Sequence, residues 1–174
     1  FNVLIYDPKH DTPAGRISTA ATAAPYEEMA AVSRFAKACD VITYEFENIP
    51  TSALDVLEAH RPIRPNREAL RVSQDRLTEK QFLSDLGLTT APYAAVQTLA
   101  ELQDAVAQIG TPSILKTRRF GYDGKGQARL NSDDDVVQAH ADMASAPALL
   151  EGFVDFSHEV SVIGARPVSM SATR

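Results

Sequence analysis

Apolar positions along the chain follow two rhythms, which divide it into two sections. In the first, the apolar run Val3 to Tyr6 predicts a strand that Asp7 and Pro8 stop. A loop from Pro8 to Thr22, bearing Pro, Gly and Thr, leads to a helix near Tyr26 to Ala38, where Met29, Val32, Phe35 and Ala36 recur at helical spacing. Val41 to Phe46 predicts the next strand. Pro50 then opens a helix over Thr51 to His60, and Arg61 to Pro65 is a short extended piece limited by prolines. This β-α-β-α alternation predicts a parallel, Rossmann-like sheet.

Asn66 can cap a helix running through Val72. Asp75 can cap another running through Leu86, with Gly87 as its stop. On the latter, Arg76 and Lys80 share a face and Leu83 and Leu86 supply an apolar one; an ordinary solvated charged face would read the same way. From Pro92 the rhythm changes. Strand Tyr93 to Val96, helix Leu99 to Ile109, strand Ser113 to Thr117, a glycine-rich loop, strand Gln127 to Leu130, helix Asp133 to Ala144 and strand Ala148 to Phe153 predict a small α+β lobe. No internal repeat or low-complexity segment interrupts it.

The chain has 174 residues, of which 44% are hydrophobic, enough for one large or two small cores. A net charge of -6 argues against a general footprint for nucleic acid or an anionic membrane, so anion binding must come from a local basic cluster. The longest apolar runs fall far short of the roughly 20 residues that span a bilayer, and no signal-peptide pattern is present, which makes a cytoplasmic location the expectation. Cys39, the single cysteine, has no disulfide or metal partner and reads as a small core residue. Phe1 enters a strand almost at once. Another strand is predicted at Glu159 to Gly164, shortly before Arg174, so the chain reads as truncated at both ends.

Strand alternation sends Ile114, Lys116 and Arg118 to one face and Ser113, Leu115 and Thr117 to the other. A lysine within an apolar strand is costly to bury unless an anion meets it; at about 4 Å and an effective dielectric near 20, a phosphate charge returns roughly 4 kcal/mol. An edge-strand lysine reaching water is the bland alternative. Soon after come Gly121-Tyr122-Asp123-Gly124-Lys125-Gly126-Gln127, whose glycines let backbone N–H groups turn toward a phosphate and let the loop open and close. A β-hairpin with a glycine-rich turn would look alike. The string is neither a P-loop nor a dinucleotide fingerprint. Glu151-Gly152-Phe153-Val154 ends an apolar strand, and Glu159 opens the next. Strand-end carboxylates suit ribose hydroxyls, and exposed strand ends suit an adenine edge, although isolated acids there are usually solvated.

The combined order, a cation on a strand, a glycine loop, a strand-end acid and a second acid, is that of the ATP-grasp superfamily. Asp75-Arg76-Leu77-Thr78-Glu79-Lys80, Lys116-Thr117-Arg118-Arg119, the string from Gly121 to Gln127, and Phe156-Ser157-His158-Glu159-Val160-Ser161 resemble the 5-(carboxyamino)imidazole ribonucleotide synthetase family, as does Thr43-Tyr44-Glu45-Phe46-Glu47-Asn48-Ile49-Pro50. The resemblance covers essentially the whole chain, and the Gly-Tyr-Asp-Gly-Lys-Gly-Gln string is its most specific element, since related grasp enzymes keep the glycines but not the Tyr-Asp pair. It implies a Rossmann-like pre-ATP-grasp domain over 1–72 lacking its first strand, an ATP-grasp lobe over 73–154, and the incomplete start of a second lobe over 155–174.

Carried over residue by residue, it implies that Arg76 and Lys116 contact ATP phosphates, that residues Gly121, Tyr122, Asp123, Gly124, Lys125, Gly126 and Gln127 cover them, that Glu151, Gly152, Phe153 and Val154 line the adenine, and that Glu159 holds the ribose. Asp123, Tyr122 and Lys125 would be catalytic, facing the aminoimidazole ribonucleotide and an anionic carboxyphosphate. The substrates implied are ATP, bicarbonate and aminoimidazole ribonucleotide, in a protein of a typically dimeric family. Mg2+ is also implied, but its acidic ligands fall outside the chain, as does the family's N-terminal glycine-rich turn, so this stretch alone is expected to be inactive. Another ATP-grasp ligase of formyl- or biotin-carboxylating type, or a nucleotide-binding remnant without turnover, are the rival expectations.

Overall fold

A computed structural model describes residues 1–121, 125–144 and 146–164. The chain folds around two separate hydrophobic cores, one on each side of residue 73.

In the first part, strand β1 (Leu4–Asp7) is followed by a short helix α1 (Pro13–Ile17) and a strand β2 (Ala20–Ala23) that pairs with it in parallel, Leu4 opposite Ala20. The stretch predicted as loop, Pro8 to Thr22, thus contains all of α1 and most of β2. Thr12 caps α1 by accepting from the Gly15 N–H, and Pro13 occupies its first turn. Strand β2, Ala-Ala-Thr-Ala, is too weakly apolar to announce itself.

Helix α2 (Met29–Ala38) begins three residues later than predicted, after Pro25 and a turn, and buries Val32 and Ala36. The predicted strand Val41 to Phe46 is reduced to a single parallel bridge, Ile42 to Ile63. Ile63 is its one bridging partner among the described residues; Val41 is 61% exposed and Phe46 50% exposed. The parallel pairing predicted for this section is therefore present in two short, separate pieces. Helices α3 (Thr51–Glu58) and α4 (Arg67–Ser73) close the core through Leu54, Leu57 and Leu70. Cys39 sits half-buried at the core's margin with its thiol donating to the Phe35 carbonyl.

Asp75 caps helix α5 (Arg76–Asp85) by accepting from the Leu77 and Thr78 N–H groups. The predicted apolar face of this helix is not buried. Leu83 is half-buried, Leu86 is 60% exposed, and no residue of α5 is fully enclosed, because polar contacts at its first two turns hold the helix in place.

The second core belongs to a four-stranded antiparallel sheet in the order β3-β6-β4-β5: β3 (Tyr93–Val96), β4 (Ser113–Thr117), β5 (Gln127–Leu130) and β6 (Ala148–Gly152). Helix α6 (Leu99–Ile109) starts at a reciprocal capping box between Thr98 and Glu101. Helix α7 (Val136–Asp142) follows a 3-10 turn at Asp133–Asp135. Leu102, Val106, Val136 and Ala139 from these helices meet Val96, Leu115, Leu130 and Leu150 from one face of the sheet. Alternation leaves Lys116, Leu149 and Glu151 on the other face.

Residues 159–164, predicted as a strand, form none. They are exposed and pair with no strand among the described residues, and a lone strand has nothing to satisfy its backbone groups.

Candidate functional site

The face of the sheet turned away from α6 and α7 carries a buried ion cluster. Lys116 on β4 donates to Oε2 of Glu151 on β6 at 2.6 Å, and Lys80, one turn into α5 from Arg76, lies 3.3 Å from Oε1. Glu151 is 9% exposed, and the two lysine side chains are 16% and 22% exposed for Lys80 and Lys116. The lysine in an apolar strand has its anion, an internal one. Burial on its own raises the Glu151 carboxyl, but the Lys116 hydrogen bond and the charges of both lysines outweigh it and hold the group below its ordinary value.

Helix α5 reaches this face because its start is locked to the end of β4. Arg118 grips both oxygens of Asp75, Nε to Oδ1 at 3.1 Å and Nη2 to Oδ2 at 2.8 Å. The Arg76 N–H donates to the Arg118 carbonyl, its Nε to the Thr117 carbonyl at 3.1 Å, and its Nη2 to the Gly121 carbonyl at 2.9 Å. Thr117, Arg118 and Gly121 on the strand exit thus meet the helix N-terminus. One carboxylate serves as cap and ion-pair partner at once.

The two described ends of the glycine-rich segment lie against Thr117. A Cβ at Gly121 would come within 3.0 Å of Arg76 Nη2 and 3.1 Å of Thr117 Oγ1. Gly126 has a φ of +67°, and a Cβ there would stand 2.5 Å from the same hydroxyl, so only glycine fits. The Thr117 N–H donates to the Gly126 carbonyl at 2.7 Å. Lys125 is exposed, and Gln127 pairs opposite Lys116 on β5. The predicted residues Tyr122, Asp123 and Gly124 lie outside the described residues.

At the far end of β6, the Gly152 and Phe153 N–H groups are already engaged, by the carbonyls of Pro92 and Pro112. The Phe153 ring is covered by the Arg129 guanidinium at 4.3 Å. Val154 and Glu159 are exposed, and neither shares in the ion cluster. The sequence-predicted residues Arg76, Lys116, Gly121, Gly126 and Glu151 are thus brought together, while Glu159 stands apart from them.

A polar cleft of about 210 Å3 opens on the other side of Arg76, between the 47–49 turn and the exit of β4. Glu47, Asn48 and Glu79 line it together with Arg118, Arg119 and Gly121. Burial, helped by the neighbouring Glu47 and Glu151 charges and opposed by Arg76 and Lys80, raises the Glu79 carboxyl above its ordinary value. Gln74, 7% exposed at the end of α4, crosses beneath this cleft. Its Nε2 donates to the carbonyls of Glu47 at 2.6 Å and Ile49 at 2.8 Å, while its Oε1 accepts from Arg119 at 2.8 Å.

Lys80 was legible through its four-residue spacing from Arg76, but not its acid partner. Glu79 and Arg119 stood inside the family strings without a role, and Gln74 stood outside them, since their partners are 25 or more residues away or defined only by burial. A second hollow, about 220 Å3 between β1, β2 and α2, is lined by Leu4, Ala20, Thr22, Ala31 and Phe35 and offers little for chemistry.

Comparison with known proteins matches residues 81–173 to the ATP-grasp domain and residues 1–74 to the ribonucleotide synthetase preATP-grasp domain. The chain is 46% identical over 168 residues to N5-carboxyaminoimidazole ribonucleotide synthase of Brucella melitensis and 41% identical over 165 residues to that of Pseudomonas aeruginosa. In both cases 95% of this chain is covered, and the chain spans 46% of the relative's length. Among solved structures, the ADP complex of the Staphylococcus aureus N5-carboxyaminoimidazole synthetase superposes with a TM-score of 0.84 at 33% identity, over 88% of this chain and 41% of that one. The Aspergillus clavatus enzyme in complex with ADP and 5-aminoimidazole ribonucleotide gives 0.75 at 30% identity, over 90% and 40%.

Proposed function

Because the chain belongs to the ATP-grasp family, we propose that it forms the nucleotide-gripping part of an ATP-dependent carbon-nitrogen ligase. The ligase carboxylates 5-aminoimidazole ribonucleotide with bicarbonate to 5-(carboxyamino)imidazole ribonucleotide, with release of ADP and phosphate, in de novo purine synthesis. The observation that carries the reading is the buried Lys116–Glu151–Lys80 cluster beside the glycine-rich segment, which sets two cations side by side on one acid. Relatives 46% and 41% identical to this chain are named for that synthase, and a solved one holds ADP and the ribonucleotide.

In this reading residues 1–72 are the pre-ATP-grasp domain, 73–154 the ATP-grasp lobe and 155–174 the start of a second lobe. Arg76 and Lys116, joined by Lys80, hold the ATP phosphates, and residues 121–127 cover them. Residues 151–154 line the adenine and Glu159 takes the ribose hydroxyls. A bicarbonate oxygen attacks the γ-phosphorus and ADP leaves. The ribonucleotide amine then attacks the carboxyphosphate carbon, or CO2 released from it, and phosphate departs as the amine loses a proton. Asp123 orients or deprotonates that amine, Tyr122 stacks on the substrate, and Lys125 meets the carboxyphosphate.

Mg2+ accompanies the nucleotide and supplies charge neutralisation. Among the described residues no group of three or more His, Cys, Asp or Glu is placed to hold a metal. A cytoplasmic homodimer completes the proposal; no helix among the described residues is long and apolar enough to cross a membrane.

The test is phosphate release by the full-length protein given ATP, Mg2+, bicarbonate and the ribonucleotide. Release that requires both bicarbonate and the ribonucleotide is expected. Release indifferent to the ribonucleotide would sink this reading in favour of another ATP-grasp ligase, and nucleotide binding without any release would favour a non-catalytic module.

A further inference from the structure

Gln74 has no part in the grip described above, yet it is one of the few buried polar side chains, and every hydrogen of its amide is used. Its two donors hold the backbone of the 47–49 turn, which belongs to the first core through Ile49. Its acceptor holds Arg119, two residues past β4 in the second part of the chain. The amide orientation is dictated, since two carbonyls on one side demand NH2 and a guanidinium on the other demands oxygen.

The walls it connects are those of the polar cleft. Glu47 and Asn48 stand on one side, Arg118 and Arg119 on the other, with Gly121 where the cleft meets the glycine-rich segment. Arg118 is already neutralised by Asp75, whereas Arg119 is exposed and has one described hydrogen bond, to Gln74, besides a contact on the Phe120 ring. A cleft with acids and an amide facing arginines suits a ligand that carries hydroxyls and an amine as well as negative charge. Of the two organic substrates in the proposed reaction, the ribonucleotide is the one not already served by Lys116 and Lys80.

We propose that Gln74 is a positioning residue for the ribonucleotide: by fixing the separation of the 47–49 turn and Arg119, it sets the width of the cleft and the direction of the Arg119 guanidinium. The inference rests on the proposed reaction. It adds a residue that touches no substrate and acts through two others. Replacing the amide by a carboxylate turns two attractive contacts with carbonyls into repulsions while keeping the acceptor for Arg119. Replacing it by leucine removes all three bonds at similar volume.

The experiment uses the full-length protein with Gln74→Glu, Gln74→Leu, Arg119→Ala and the double variant Gln74→Leu/Arg119→Ala. Arg119 is exposed, so its truncation tests the same link without disturbing a buried site if a Gln74 variant folds poorly. The expected result is a KM for the ribonucleotide raised about tenfold in each single variant, a KM for ATP within about twofold of wild type, and a double variant whose loss falls well short of the product of the single ones. A ribonucleotide KM unchanged in a folded variant overturns the inference. So does a parallel rise for both substrates, or losses that multiply. A wild-type protein with no ribonucleotide-dependent phosphate release sinks the proposed reaction instead, and that outcome is separate from a working enzyme indifferent to Gln74.

Discussion

Lys116 shows how one residue in an unlikely place shapes its surroundings. With Glu151 taking up its charge, the strand can keep a lysine, the one proposed to meet a phosphate, and Lys80 pairs with the acid's other oxygen. Lys116→Ala removes the hydrogen-bonded partner of a buried acid and part of the proposed phosphate grip. ATP affinity of the full-length protein, measured by titration, is expected to fall at least about tenfold, with a stability loss of about 1–3 kcal/mol in urea unfolding because Lys80 remains. The pH dependence follows from two opposite shifts. Glu151 is depressed below its ordinary value of 4.5, so its contribution to stability is complete above that pH and is lost as pH falls through the still lower folded value. Glu79 is raised, so the fold favours its protonated form, and that contribution is lost as pH rises through the folded value. Thermal midpoints should therefore show Glu151→Gln destabilising at pH 7 and Glu79→Gln stabilising there, the Glu79 difference shrinking as pH falls through its raised folded value and the Glu151 difference only below the ordinary value of 4.5.

Between elements, the decisive junction is α5 against the exit of β4. Asp75→Ala deletes the helix cap and the Arg118 partner together and should cost about 2–3 kcal/mol by chemical denaturation. Asp75→Asn keeps the cap's acceptor and should cost about half as much. Gly126→Ala places a side chain at a φ of +67° and 2.5 Å from Thr117 Oγ1. The strain alone amounts to about 1 kcal/mol, and the clash must push Thr117 aside. Gly126→Ala is therefore expected to weaken ATP binding more than Gly87→Ala, whose site has positive φ but open space around it, and parallel titrations of the two variants decide it.

For the molecule as a whole, two cores are joined through the short span from α4 to α5 and through Gln74, Asp75 and Arg76, which tie that span to both sides. A nucleotide bound only to the native state raises stability by about 2.7 kcal/mol at a hundredfold excess over Kd. That shift, read as a thermal midpoint of the full-length protein with ATP and Mg2+, should shrink in Lys116→Ala and persist in Gln74→Glu.

The lobe was readable almost to the residue because its signals are local. Strands β3, β4 and β5 and helix α6 have the predicted bounds, set by prolines, Gly110 and the Thr98–Glu101 box, and the placement of Lys116 opposite the helix-covered face follows from strand alternation alone. The family was legible for the same reason, through short strings of neighbouring residues. What could not be read depends on partners far along the chain. The four alanine and threonine residues of β2 become a strand only beside β1, Val41 to Phe46 shrinks to one bridge without a second neighbour, and residues 159–164 stay exposed and pair with no strand among the described residues. The counter-ion of Lys116, the raised Glu79 and the Gln74 crossing exist only once the chain has packed, because burial and hydrogen-bond geometry, unlike periodicity, are properties of residues distant in sequence.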